Sequence, residues 1–201
     1  MLSIPALWLA MLVWNQRTRL WAIGASIIGA IILLVTPALH AYILSKLLLQ
    51  DYSGFIRRLI WKESWLMLLD HPIFGAGLAG YQTVIKPYHL PTFEIFLYPH
   101  NIVLNFWSEL GILGLISFAI LIGYHLWQSS KNVLKHVEPH WLYLAAFAAM
   151  SQMVIHGLVD APYLKNDLSV LFWAIVAMAF TISTLTPSQP SPVPGEGATN
   201  T

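Results

Sequence analysis

The chain has 201 residues, of which 57% are hydrophobic and only 9% are charged, whereas about 25% of residues are charged in an ordinary soluble domain. Ten Lys and Arg with nine Asp and Glu cannot cover a soluble surface, so the composition predicts a protein that lies in a lipid bilayer. The absence of cysteine excludes a secreted disulfide scaffold, and a net charge of +1 gives no basis for nucleic-acid binding.

Two apolar stretches precede residue 50. Met1–Trp14 is too short to span a bilayer comfortably, and its positive charges follow the apolar run, unlike those of a signal peptide. We interpret it as the end of a helix whose beginning is missing. Leu20–Thr36 is a slightly short predicted span that stops near Pro37. Small residues at every fourth position let another helix approach it closely: Ala22, Ser26 and Ala30.

Residues 50–101 contain no spanning candidate and form one predicted extramembrane loop. The loop opens with a predicted interfacial helix, Phe55–Leu69. Its predicted apolar face contains Ile56, Leu59, Ile60 and Leu66. Tryptophans suited to the headgroup zone and polar residues complete the helix: Trp61, Trp65, Arg57, Arg58, Lys62 and Glu63.

A glycine-rich stretch follows, in which Gly75, Gly77 and Gly80 match G-x-G-x-x-G. That pattern binds dinucleotides only after a β-strand and at the start of a helix, and an interfacial helix precedes it here. The glycines therefore predict a tight turn at the membrane surface and no nucleotide site.

Three further spans complete the predicted all-α, polytopic bundle: Ile102–Leu126, Trp141–Val159 and Leu168–Leu185. The Pro/Gly/Ser/Thr-rich tail is predicted to be disordered. The predicted organisation is N-terminal membrane helices over 1–49, a periplasmic loop over 50–101, three transmembrane helices over 102–185 and a cytoplasmic tail over 186–201.

Orientation follows from the short loop that carries Lys131 and Lys135, which the positive-inside rule assigns to the cytoplasm. Residues 50–101 then lie outside, with more positive charge than the inner loop: Arg57, Arg58, Lys62 and Lys86. Cations kept on the disfavoured side indicate an anionic ligand there. Arg57 and Arg58 are candidate phosphate ligands because a guanidinium grips phosphate oxygens bidentately, although snorkelling at the headgroups also explains such a pair.

His100 lies between Pro99 and Asn101, where the chain enters the bilayer again. It is a candidate general base, and a local hydrogen-bonding or capping role is the alternative. A metal site built from His89, Glu94 and His100 matches no known ligand spacing, so no metal is predicted.

Three more polar residues are candidates for supporting roles. Glu109 lies inside a predicted span, where an ionisable group is costly unless it is paired, and a water-reachable structural role is equally open. Asp160, with His156, closes the next span on the same side, where it either lines the same cavity or caps the helix.

Four motifs in order resemble the O-antigen ligase / O-antigen polymerase superfamily of bacterial inner-membrane glycosyltransferases. They are the R-x-x-x-W step from Arg57 to Trp61, the series that begins Asp70-His-Pro and runs to Leu78, the Pro99-His-Asn sequence, and the Glu109-Leu-Gly series to Leu115. The resemblance covers roughly Arg17 to Trp173.

The resemblance implies a multi-pass inner-membrane enzyme of the GT-C type, incomplete here, with its active site facing the periplasm. It would move a glycan from undecaprenyl diphosphate to an acceptor hydroxyl in lipopolysaccharide or surface-polysaccharide biosynthesis, without metal, nucleotide sugar or other cofactor. The acceptor would be the lipid A core in a ligase and another lipid-linked glycan in a polymerase. Its partners would be these substrates and membrane lipids.

The family's residues map onto this chain position by position. The diphosphate-binding arginine of the periplasmic helix corresponds to Arg57, with Arg58 as a neighbour, and the H-N histidine corresponds to His100, with Asn101 beside it. A second family arginine would correspond to Arg17. The 31 residues of Leu20–Gln50 are too few for two full crossings, which need about 40. One crossing would leave Arg17 in the cytoplasm, whereas a second, shortened helix near Pro37–Leu49 would return it to the site.

Two other hypotheses stand beside this one. Family chains are about twice as long, so this chain would be a truncated, inactive relative or one part of a split enzyme that needs a missing N-terminal half. A transporter or channel subunit is a third reading, but the sequence shows no inverted repeat and no matching pair of interrupted helices.

Overall fold

The computed structural model describes residues 3–91, 93–160 and 166–185, and the described residues contain helices and no β-strand. The eight α-helices, with a short 3₁₀ helix over Lys86–Tyr88 after the fifth, are α1 Ser3–Trp14, α2 Gln16–Val35, α3 Pro37–Leu47, α4 Tyr52–Asp70, α5 Tyr81–Val84, α6 Ile102–Leu134, α7 His140–Gly157 and α8 Asn166–Leu185. The predicted all-helical class is confirmed for these residues. The predicted tail, 186–201, lies outside them.

Two of the described helices, α2 and α6, are long and apolar enough to cross a membrane. The other predicted spans form helices close to their predicted limits, α7 and α8, and both pack beside α6. That α7 and α8 cross the membrane stays a prediction.

The core of the bundle lies between α6, α7 and α8. Ile122 of α6 packs there against Met150 of α7 and Phe172 of α8. We call the end at which α6 begins and α7 ends the upper end of the bundle. The opposite, lower end is closed by Val133 and Tyr143, which pack around Val13 of α1.

The first two helices form an antiparallel pair that turns back at the lower end. Asn15 caps α2, with its Oδ1 accepting from the Thr18 N–H at 2.9 Å. The Trp8 indole of α1 donates to Ser26 Oγ of α2 at 2.8 Å, and Ala22 is buried. Helix α1 therefore packs on the predicted small-residue face of α2 at Ala22 and Ser26, whereas Ala30 is exposed.

Helix α4 packs against the first part of α6, and the segment that follows α4 folds back against it. Met67 and Leu68 form a small core with Tyr81 and Ile85. The predicted faces of α4 were partly wrong: Glu63, predicted on the polar side, is 4% exposed, whereas Leu66, predicted on the apolar side, is 42% exposed. Glu63 can be buried because the loop after α4 supplies hydrogen-bond partners for both of its carboxylate oxygens.

Helix α6 is interrupted at Gly111, which has φ of +70° and ψ of −176°. Residues 112–134 alone form a helix about 34 Å long, enough to cross a hydrocarbon core. The predicted span over Ile102–Leu126 lies within α6, and the break at Gly111 divides it. Glu109 accordingly lies above the break and outside this long helical part.

Candidate functional site

The candidate site lies at the upper end, where Asn101 joins the start of α6 to the end of α7. Its Oδ1 accepts from the N–H groups of Val103 and Leu104, at 3.0 and 3.1 Å, and so caps α6. Its Nδ2 donates to the Leu158 carbonyl at 2.9 Å. This one side chain fixes the two helix ends relative to each other.

His100 precedes the cap and has a left-handed backbone conformation, with φ of +51°. Its Nδ1 lies 2.9 Å from Asp160 Oδ1, sixty residues further along the chain, and its carbonyl accepts from the Trp61 indole at 3.3 Å. A carboxylate accepts a hydrogen bond from Nδ1–H, so the contact favours the tautomer in which Nε2 is unprotonated. The arrangement suits a base that takes a proton at Nε2.

Arg57 and His100 line the same cavity, which has a volume of about 530 Å³. The other residues of its wall come from α4 and from the segment before His100: Tyr52, Ser53, Ile56, Ile60, Phe93, Glu94 and Phe96. Arg57 Nη1 donates to Ser53 Oγ at 2.7 Å, one turn earlier on α4. Its Nε is buried and has no hydrogen-bond partner among the described residues. The bond to Ser53 uses one of the five N–H donors that a guanidinium carries.

The structure does not bring the other predicted residues to this cavity. Arg58 is exposed beside Arg57 and does not line the cavity, and neither does half-buried Glu109. Arg17 lies in the first turn of α2, close after Val13, and therefore at the lower end of the bundle. Asp160, by contrast, contacts the His100 ring, and Asn101, the next residue after His100, binds the Leu158 carbonyl.

Aromatic residues around His100 were not singled out from the sequence. The Phe96 ring meets the His100 ring edge-on with centroids 5.3 Å apart, and the Tyr98 ring lies 4.6 Å from it. Burial, and then the charge of Asp160, raise the pKa of Tyr98 above its usual value. The phenol therefore stays protonated beside the His100–Asp160 pair. The only sequence signal was the density of aromatic residues in 93–98.

An ion pair between buried Glu63 and partly buried His89 holds the loop that carries the cavity wall. Glu63 Oε2 lies 3.1 Å from His89 Nδ1, its Oε1 accepts from the Leu90 N–H at 2.9 Å, and His89 Nε2 lies 2.8 Å from the Phe93 carbonyl. Both ring nitrogens face acceptors, and only the imidazolium can donate from both. Burial lowers the pKa of His89, but the Glu63 and Phe93 hydrogen bonds and the Glu63 charge outweigh it, so the pKa is raised.

Arg57, His100 and Asn101 lie within a region that matches a known protein family, whereas Asp160 lies beyond it. The family model described as O-antigen ligase matches residues 1–119, more than half of the chain. The chain belongs to the O-antigen ligase family. The resemblance predicted from the four motifs is thereby confirmed. With the two long apolar helices, membership in the O-antigen ligase family supports a bacterial membrane protein with a role in glycan processing and lipopolysaccharide biosynthesis.

A relative in Salmonella typhimurium (strain LT2), described as an O-antigen ligase, is 28% identical over 151 residues. The match covers 65% of this chain and 37% of the relative, so the chain spans little more than a third of that O-antigen ligase. No solved structure matches the chain.

Proposed function

We propose that this chain carries the catalytic cavity of a membrane glycosyltransferase of the O-antigen ligase type. In this proposal the helices form part of a multi-pass, GT-C-like bundle in the bacterial inner membrane, and the upper end faces the periplasm. The donor is a glycan linked to undecaprenyl diphosphate, and the acceptor is a hydroxyl of the lipid A core. Family membership and the cavity that Arg57 shares with His100 support this reading.

Arg57 binds the diphosphate of the donor. A guanidinium on the cavity wall matches phosphate oxygens in charge and geometry, and Ser53 positions it from the preceding turn. As the bond to the sugar breaks, negative charge grows on the leaving diphosphate, and Arg57 stabilises that charge. Hydrogen bonds to charged groups contribute about 1.5–3 kcal/mol each, or roughly 10- to 100-fold in rate or affinity.

His100 takes the proton of the acceptor hydroxyl at Nε2 while Asp160 holds Nδ1. The acceptor oxygen forms the new bond to the anomeric carbon, the bond from that carbon to the diphosphate oxygen breaks, and undecaprenyl diphosphate leaves with the electron pair. General-base assistance of this kind contributes about 10²- to 10⁴-fold. His100 and Arg57 thus act on the two ends of one displacement.

The observation that carries the proposal is that Arg57 and His100 line one cavity, and it makes complementation of a ligase-deficient strain the direct test. We expect His100→Ala and Arg57→Ala, at normal membrane levels, to lose surface-glycan attachment by about 100-fold or more. Arg58→Ala is the matched control, because Arg58 is adjacent in the chain but lies outside the cavity. It should retain activity within about threefold, since exposed charges contribute little.

Full activity of Arg57→Ala or of His100→Ala would contradict the proposal. Rescue by the wild-type chain alone would reject the reading as an inactive relative or part of a split enzyme, whereas rescue only with an added N-terminal segment would support the split form. Glycan attached to the lipid A core identifies a ligase, and extension of lipid-linked chains identifies a polymerase.

A further inference from the structure

A second cavity meets the first one at His100. It has a volume of about 350 Å³ and is lined by the segment 94–98 together with His100. Glu94, Phe96 and His100 line both cavities, so these three residues form the partition between them. A base in such a partition is reachable from two sides.

The two cavities differ in charge. The first contains the Arg57 guanidinium, which suits an anionic diphosphate. Among the described residues that line the second there is no Lys or Arg, and its polar groups are the Glu94 carboxylate, the Tyr98 phenol and the His100 imidazole. Glu94 lines both cavities, but only in the first does Arg57 offset its charge, so an anionic group is disfavoured in the second. Neutral sugar hydroxyls can donate to the carboxylate there, and aromatic rings offer apolar faces for the C–H side of a sugar.

We propose that the second cavity binds the sugar residue whose hydroxyl attacks the donor, with Glu94 and Tyr98 as its recognition residues. The inference rests on the proposed function, because it takes the first cavity as the diphosphate site. A displacement requires the attacking hydroxyl and the anomeric carbon to meet beside one base. The partition at His100 provides that meeting point, with donor and acceptor entering from opposite sides.

Of the two recognition residues, Tyr98 gives the more specific test because it lines only the second cavity. The probes are undecaprenyl diphosphate and a phosphate-free core oligosaccharide, each titrated against the full chain in lipid nanodiscs. We expect Tyr98→Phe to weaken oligosaccharide binding by about 3- to 10-fold, through loss of one neutral hydrogen bond, and to change the Kd for undecaprenyl diphosphate by less than twofold.

Glu94→Gln gives a result that a purely structural role would not give. Loss of the carboxylate should weaken oligosaccharide binding by about tenfold and tighten undecaprenyl diphosphate binding by about two- to fivefold, since one negative charge leaves the first cavity. A variant that merely damaged the fold would bind both probes more weakly. Tyr42→Phe on α3, exposed and outside both cavities, is the control and should change neither Kd.

The outcomes separate this inference from the proposed function. No oligosaccharide binding by the wild-type chain, an unchanged oligosaccharide Kd in both variants, or weakening of both probes by Glu94→Gln would overturn the second-cavity assignment. If Arg57→Ala bound undecaprenyl diphosphate as tightly as the wild type, the proposed function would fail, whatever the Tyr98 and Glu94 variants showed.

Discussion

At the scale of single residues, the candidate chemistry depends on a few hydrogen bonds between distant parts of the chain. The residue types of Arg57 and His100, each within an ordered motif, made both candidate site residues, and the structure places both on one cavity. Asp160 was predicted only as one of several supporting residues, because nothing local indicates that a carboxylate sixty residues away contacts His100 Nδ1. The contact arises from the antiparallel packing of α6 and α7 and from the Asn101 bond to Leu158.

Glu63 and His89 show a second limit at this scale. In an amphipathic pattern a glutamate beside Lys62 predicts a solvated face, yet Glu63 is buried because a histidine and a backbone N–H of the next loop satisfy both of its oxygens. Sequence periodicity carries no information about such partners. The pair nevertheless holds one part of the cavity wall, since His89 Nε2 also contacts the Phe93 carbonyl.

The Glu63–His89 pair predicts a pH dependence. The pKa of His89 is raised in the folded chain, so its stabilisation is complete below the ordinary pKa of about 6.5 and is lost as pH rises through the higher folded value. We expect His89→Asn to lower the hydrogen-exchange protection of the Leu90 amide by about tenfold at pH 6. The difference from wild type should narrow steadily toward pH 9.

The matched control for this experiment is His71→Asn, an exposed histidine in the same segment. It should leave protection at Leu90 unchanged at every pH. A wild-type advantage over His89→Asn that is constant from pH 6 to pH 9 would show that His89 acts through shape alone and would reject the charged pair.

At the scale of elements, the break in α6 explains the glycine-rich stretch. The Ser108 carbonyl, released by the break, accepts from the N–H groups of Ala76 and Gly77 at 2.6 and 3.1 Å, and the Ile112 N–H donates to the Ile73 carbonyl at 3.0 Å. The loop 72–77 therefore satisfies backbone groups that the interrupted helix leaves unpaired. The predicted tight turn is confirmed at Gly75 and Gly77, which have φ of +63° and +78°.

The sequence could not predict this break. A glycine within an apolar run lowers helix propensity by about 1 kcal/mol, too little to distinguish an interrupted span from a continuous one. The decisive interactions come from backbone groups of a loop more than thirty residues earlier, and backbone groups are the same in every sequence. The break nevertheless ends the short helical part 102–110, which Asn101 caps.

Gly75 and Gly77 give a matched pair of variants. Both have left-handed backbone, but a Cβ at Gly75 would collide with the Trp107 and Ser108 carbonyls, whereas a Cβ at Gly77 meets open space. We expect Gly77→Ala to cost about 1–2 kcal/mol from backbone strain alone. Gly75→Ala should cost clearly more and should displace the loop from the break, which thermal unfolding in detergent and hydrogen exchange at Ile112 would measure.

Equal destabilisation by the two alanine variants would contradict this account. It would mean that backbone strain accounts for the whole loss of stability and that the packing of the loop into the break contributes no stability. Normal protection of the Ile112 amide in Gly75→Ala would lead to the same conclusion.

At the scale of the whole molecule, the path of the first three helices separates Arg17 from the site. The cap at Asn15 and the contact of Val13 with the α6–α7 turn place the start of α2 at the lower end. Helix α2 then runs about 30 Å toward the upper end, and α3, with 11 residues, is too short for a return crossing. Of the two paths considered from the sequence, this geometry favours the single crossing, with Arg17 on the side opposite Arg57.

Apolar run length was sufficient to predict most helix positions at this scale, since the predicted spans after residue 100 begin within two residues of α6, α7 and α8. The length of an apolar run does not indicate on which side of the membrane the neighbouring loops lie. We therefore propose that Arg57 and His100 share a cavity on the outer side of the membrane while Arg17 lies on the inner side.

Single-cysteine labelling in intact cells tests that claim most directly, because the chain has no cysteine of its own. The three variants are Arg58→Cys and Glu94→Cys, exposed beside or on the cavity, and Arg17→Cys, exposed at the lower end. With the outer membrane made permeable, an impermeant maleimide should label positions 58 and 94 at once, and position 17 only after the inner membrane is opened. Immediate labelling of position 17, or protection of position 58 or 94, would contradict the account.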